Sequence, residues 1–192
     1  MDNFLKNFKG RRVFITGHTG FKGSWLSKIM QMSGASVCGY SLDANGQHSN
    51  FNRLKSLSKI QTVFGDIRNY EYLLEVIQEF RPEIVFHLAA QPLVIDSYED
   101  PQTTFSTNIM GSVNVLEACR KSTSLRSLVY VTSDKCYDNK EWTWGYREID
   151  RLGGKDPYSA SKASAELIFA SYSNSFKKEF KNVGMASVRA GN

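Results

Sequence analysis

At 192 residues, with 41% hydrophobic and 12% aromatic side chains, the chain carries enough apolar surface to bury one sizeable core, which argues against disorder. Its three cysteines, Cys38, Cys119 and Cys136, are too few and too widely spaced for a disulfide framework or a zinc knuckle, and no apolar run reaches the roughly 18 residues of a membrane span, so a soluble protein of a reducing cytoplasm is expected. The net charge of +5 comes from Lys and Arg scattered among Asp and Glu rather than gathered into a block, and nucleic-acid binding is not expected.

Along the chain, short β-branched runs alternate with longer amphipathic stretches, the pattern of a parallel sheet with crossover helices. The runs predict strands at 13–16, 36–40, 61–64, 84–88, 128–132 and 184–189, and helices at 21–33, 69–80, 102–121 and 157–181. Pro101 and Pro157 stand near the last two helix starts, where a missing N–H does no harm. The fold class expected is α/β, an open doubly wound parallel sheet (Rossmann-like) whose ligand crevice lies at the carboxyl ends of the strands. The sequence stops just after the sixth strand, so residues 1–192 are expected to be one dinucleotide-binding domain of a longer chain whose smaller substrate domain is missing.

Directly after the first strand comes Gly17-His18-Thr19-Gly20-Phe21-Lys22-Gly23. Glycines at this strand-to-helix turn let a pyrophosphate approach the helix N-terminus, where free N–H groups and the dipole favour negative charge. After the third strand, the Asp66 carboxylate can accept from an adenine amino group while Ile67 packs on the ring, although Asp66 also suits a plain helix N-cap. After the fourth, Leu88-Ala89-Ala90 leaves room for a cofactor lying close over the backbone, or for a tightly packed crossover. At the end of the second strand, where an NAD site usually offers an acidic side chain, stands Ser41, with Asp43 two residues on and no arginine beside it. NAD is favoured over NADP on that ground.

Tyr158 and Lys162 lie four residues apart on the last predicted helix and share one face. An adjacent ammonium should favour the phenolate and make Tyr158 a general base. Before them, at the end of the fifth strand, Thr132 or Ser133 can hold a substrate hydroxyl, and Asp134 with Lys135 supplies an acid/base pair; a charged surface turn is the plainer alternative for that pair.

Gly17 to Gly23, Gly65-Asp66-Ile67-Arg68, His87-Leu88-Ala89-Ala90-Gln91-Pro92-Leu93-Val94 and Thr107-Asn108-Ile109-Met110-Gly111 together resemble the extended short-chain dehydrogenase/reductase family. The stretches 132–148 and 152–162 are most similar to its CDP-glucose 4,6-dehydratase branch, with Lys135 standing where the dTDP-glucose branch carries an acidic residue. The resemblance implies NAD as cofactor, with Asn108 and Thr132 among the residues around it, and CDP-glucose as substrate. It implies a lyase reaction serving deoxysugar and lipopolysaccharide synthesis: Tyr158 takes the O4 proton as C4 is oxidised, Lys162 holds the nicotinamide ribose, and Lys135 with Asp134 removes water across C5 and C6 before C6 is reduced. It further implies a homodimer or homotetramer through the helices 102–121 and 157–181. Another sugar-nucleotide epimerase or dehydratase on the same scaffold, or a dinucleotide-binding sensor without turnover, remains open at this stage.

Overall fold

The computed structural model describes residues 2–43, 49–55 and 60–191. Six strands, β1 (Arg12–Thr16), β2 (Ser36–Ser41), β3 (Gln61–Phe64), β4 (Ile84–His87), β5 (Ser127–Ser133) and β6 (Gly184–Ala190), pair in parallel in the order β3-β2-β1-β4-β5-β6. All six strands expected from the sequence are present in the expected class of sheet. The chain runs outward from β1 in one direction and from β4 in the other, so a crevice opens between these two strands at their carboxyl ends.

The sheet is covered on both faces because its central strands are apolar on both. Phe14, Tyr40, Val85, Leu128 and Tyr130 pack on one side with Leu73, Ile77, Val115, Leu116 and Phe169; Val13, Ile15 and Val37 pack on the other with Met30. Successive side chains of β1 thus enter opposite layers, as a strand requires.

The helices are α1 (Asp2–Leu5), α2 (Phe21–Met32), α3 (Asn50–Lys55), α4 (Tyr70–Phe80), α5 (Val94–Glu99), α6 (Pro101–Phe105), α7 (Gly111–Lys121) and α8 (Pro157–Ser175). Caps set several starts: Asn69 accepts from Tyr72 N, Asp100 from Thr103 N and Asp156 from Ser159 N, the last two just ahead of a proline. The short α3 and α5 were not foreseen. The helix expected over 102–121 is α6 and α7 joined through a π-helical turn at Ser106–Met110. That turn carries Asn108, whose buried side chain accepts from Gln91 N at 2.8 Å and donates to Gln91 O at 3.0 Å. The last helix ends at Ser175 rather than 181, because the following turns bring Phe176 and Phe180 into the core. Among the described residues no helix is long and apolar enough to cross a membrane.

Candidate active site

The crevice holds a cavity of about 580 Å³, within the range of small-molecule sites. It runs from the first turn of α2, past Asp66 and the loop after β4, to Tyr158 and Lys162 on α8.

At one end, Gly17 turns the chain out of β1 with φ +74°, a conformation that favours glycine, and its missing side chain would meet Ala89 N at 2.7 Å. A Cβ on Gly23 would meet Gly17 O at 2.1 Å, so the first turn of α2 lies directly on the loop. No side chain caps α2 and no acidic residue sits in its first turn, which leaves its N–H groups and dipole facing the cavity beside Lys22. Gly17, Thr19, Gly20, Phe21, Lys22 and Gly23 all line the space; His18 does not. The His18 ring is buried under β2, with Ser41 Oγ at 2.9 Å from Nδ1 and Phe51 edge-on, and burial lowers its pKa to about 4. A cofactor contact through the His18 side chain is therefore replaced by a structural role.

Thr16 joins β1 to the loop after β4. Its hydroxyl pairs with His87 Nδ1 at 2.7 Å and accepts from Ala89 N at 3.2 Å, fixing Leu88, Ala89 and Ala90 as one wall. Sequence reasoning passed over Thr16, which is fully buried and lies inside an apolar run.

Ser41 lines the cavity at the end of β2, its hydroxyl 3.0 Å from that of Thr19. Asp66 is there too, but Arg68 donates to its carboxylate from Nε and Nη2 at 2.9 and 2.6 Å, holding its pKa below the usual carboxylate range. Ile67 borders the same space, yet its side chain is buried, tip against Gly111, where an added Cβ would meet Cδ1 at 2.6 Å. The expected stacking of Ile67 on a ring thus competes with packing on α7. Asn108 does not line the cavity: besides Gln91 it binds Ser161 Oγ at 2.9 Å, and it ties the wall loop to α8.

At the other end, Tyr158 and Lys162 enter the cavity from the first two turns of α8, as their spacing predicts. Lys162 Nζ lies 5.8 Å from the Tyr158 ring centre. Burial, helped by the charge of Lys22, brings the Lys162 pKa down to about 8. Tyr158 departs from expectation. Its pKa is raised, chiefly by burial, with the nearby Ser133 hydroxyl acting in the opposite direction. Burial of the phenol thus opposes the depression that the spacing of Lys162 suggested.

Thr132 lines the cavity, but its hydroxyl donates to the buried Glu166. Ser133 is therefore the hydroxyl beside Tyr158; it donates to Asp134 Oδ1 at 3.0 Å. Asp134 and Lys135 follow on a single 3-10 turn and pair at 3.3 Å. Ser133, Asp134 and Lys135 adjoin the cavity rather than line it. Among the described residues no group of His, Cys, Asp and Glu is placed to hold a metal ion.

Residues 14–186 match the family profile described as GDP-mannose 4,6 dehydratase. The chain is 54% identical to CDP-glucose 4,6-dehydratase of Salmonella typhimurium over 97% of its own length and 54% of that protein. It is 30% identical to CDP-paratose 2-epimerase of Salmonella typhi, over 86% of this chain and 54% of that one. Among solved structures, UDP-glucose 4-epimerase of Thermus thermophilus, in complex with NAD, matches with a TM-score of 0.79 at 30% identity, covering 93% of this chain and 54% of that one. The chain spans about half the length of the curated relatives it matches. A profile that runs from within β1 to within β6, over a parallel sheet with Tyr158 and Lys162 at its crevice, shows that this chain belongs to the GDP-mannose 4,6-dehydratase family.

Proposed function

We propose that the chain is the cofactor-binding and proton-transfer part of a CDP-glucose 4,6-dehydratase, a lyase that converts CDP-D-glucose to CDP-4-keto-6-deoxy-D-glucose and water with NAD as a recycled carrier. The observation that carries this reading is one cavity holding Gly17, Gly20 and Gly23 at one end and Tyr158 with Lys162 at the other. The 54% identity to a protein of that activity supports the substrate.

The residues present fit a dinucleotide. The uncapped start of α2 and Lys22 would take the pyrophosphate, Ser41 and Asp66 the adenosine, and Ala89, Thr132 and Lys162 the other half. The end of β2, Ser41-Leu42-Asp43, brings no cation for a 2′-phosphate, which favours NAD. When bound, NAD supplies a reversible two-electron acceptor for a sugar carbon.

Tyr158 removes the proton from the O4 hydroxyl, with Ser133 within reach to orient it. A ketone at C4 acidifies the hydrogen on C5. The adjacent Asp134 and Lys135, paired at 3.3 Å, are assigned to the removal of the C5 proton and of the C6 hydroxyl. An epimerase needs Tyr158 and Lys162 but no such pair, and a sensor needs neither.

On α6 to α8, Val115, Leu116 and Phe169 belong to the core, whereas Phe105, Met110 and Leu167 remain exposed and support self-association through these helices. The three cysteines are free and buried, which suits a reducing cytoplasm.

The test supplies the full-length protein with NAD and, separately, CDP-, dTDP- and UDP-glucose, and follows the base-sensitive absorbance of a 4-keto-6-deoxy product. CDP-glucose should be turned over fastest; no product from any of the three would end the reading. Tyr158→Phe should lose on the order of 10²- to 10⁴-fold in kcat while still binding NAD.

A further inference from the structure

Glu166 is 4% exposed and is used by nothing in the reaction outlined above. It stands four residues after Lys162 and eight after Tyr158, on the same face of α8. One carboxylate oxygen accepts from Thr132 on β5. The other accepts from Ser187 Oγ at 3.1 Å and from Arg189 at 2.9 Å, both on β6. Arg189 in turn donates to the Tyr137 hydroxyl at 2.8 Å and to Glu148 O at 3.1 Å, gripping the segment that follows Asp134 and Lys135. Around it the buried face of α8 carries the short side chains Ser159, Ser161, Ala163 and Ala165, with Phe169 packing on Tyr130 of β5 at 5.3 Å further along. The hydrogen bonds that this carboxylate accepts from two strands are directional and add a polar register to that apolar contact.

We propose that Glu166, with Arg189 as its counter-charge, is a positioning residue that sets the reach of Tyr158 to Ser133 by locking α8 to β5 and β6. The proposal rests on Tyr158 being the base. It assigns Glu166 no contact with ligand; the carboxylate acts through where it holds α8 and Thr132. Because Arg189 reaches past Tyr137, the same lock places the turn of Asp134 and Lys135 relative to Tyr158.

The experiment uses the full-length protein and the variants Glu166→Gln, Tyr158→Phe and the two combined, with kcat and KM for CDP-glucose, NAD affinity by fluorescence and the unfolding midpoint as readouts. Glu166→Gln should lower kcat on the order of 10- to 100-fold, as a slightly misplaced base does, with KM and NAD affinity little changed. In the Tyr158→Phe background the same substitution should leave the residual rate as it is, since the group it positions has gone. A folded Glu166→Gln enzyme with wild-type kcat overturns the proposal, and so does an equal loss in both backgrounds, which would mark a general structural effect. Where Glu166→Gln does not fold, Ser187→Ala removes one bond to the carboxylate and should lower kcat in the same pattern; an unchanged kcat there overturns it equally. Full turnover by Tyr158→Phe alone would remove the base assignment and this proposal together, whereas a normal Glu166→Gln beside an inactive Tyr158→Phe removes this proposal only.

Discussion

The Thr16 hydroxyl and His87 Nδ1 meet at 2.7 Å across β1 and β4, at the place where the strand order reverses. Both residues are buried, and the same hydroxyl accepts from Ala89 N. The crevice floor is therefore held by a polar contact inside an otherwise apolar sheet. Thr16→Val keeps the shape but leaves Ala89 N–H and a ring nitrogen without this partner. It should cost about 1–3 kcal/mol in denaturant unfolding, and the wall at Ala89 should loosen enough to weaken NAD binding.

The glycine loop makes a paired prediction. An alanine at position 23 would press on the backbone carbonyl of Gly17, which has no flexible side chain to yield, whereas nothing lies within 4 Å of a Cβ at Gly145. Gly23→Ala should strain the fold by about 1–3 kcal/mol and lower NAD affinity by about tenfold for each 1.4 kcal/mol expressed at the site. Gly145→Ala should leave both unchanged. Calorimetric titration with NAD beside thermal unfolding decides the matter, and equal effects at the two positions would refute the close approach.

Burial of Lys162 carries a stability cost. Its folded pKa of about 8 lies below the ordinary 10.5, so the unfolded chain binds more protons between those values and stability rises with pH across that window. Lys162→Met should consequently stabilise the fold at pH 7 and inactivate the enzyme, with the stability gain shrinking by pH 9.5. Urea midpoints of both proteins at the two pH values measure this; a gain independent of pH would contradict the burial cause.

Acid should weaken the fold before the carboxylates titrate. His18 and His87 are held neutral by burial, with pKa values of about 4 and about 3 against an ordinary 6.5. The folded state refuses protons that the unfolded chain accepts, so stability falls as pH drops below 6.5. Between pH 7 and 5 the loss should be on the order of 2 kcal/mol per histidine. His87→Gln should flatten its share of that slope in pH-dependent denaturation.

Much of this architecture was legible along the chain because its signals are local. Six β-branched runs, the turn glycines, and the proline at the start of α8 specify their conformations within a few residues, and the spacing of Tyr158 and Lys162 puts both on one helical face without any knowledge of what they face. The π-helical turn at Ser106–Met110 was not legible: its extra residue serves Asn108, whose partners Gln91 and Ser161 are 17 and 53 positions away.

What the sequence by itself determined was the class of sheet, the position of the crevice, and the presence of Tyr158 and Lys162 together on the helix that borders it. The tertiary structure alone decided their ionisation and their neighbours. Burial raises Tyr158 and lowers Lys162 where spacing suggested a simple depression of the tyrosine. It also turns His18 under β2, spends the Thr132 hydroxyl on Glu166, and links that carboxylate to Arg189. The physical reason is that desolvation and hydrogen-bond partnership depend on what other strands bring alongside a residue, and a linear pattern of residue types does not contain that information.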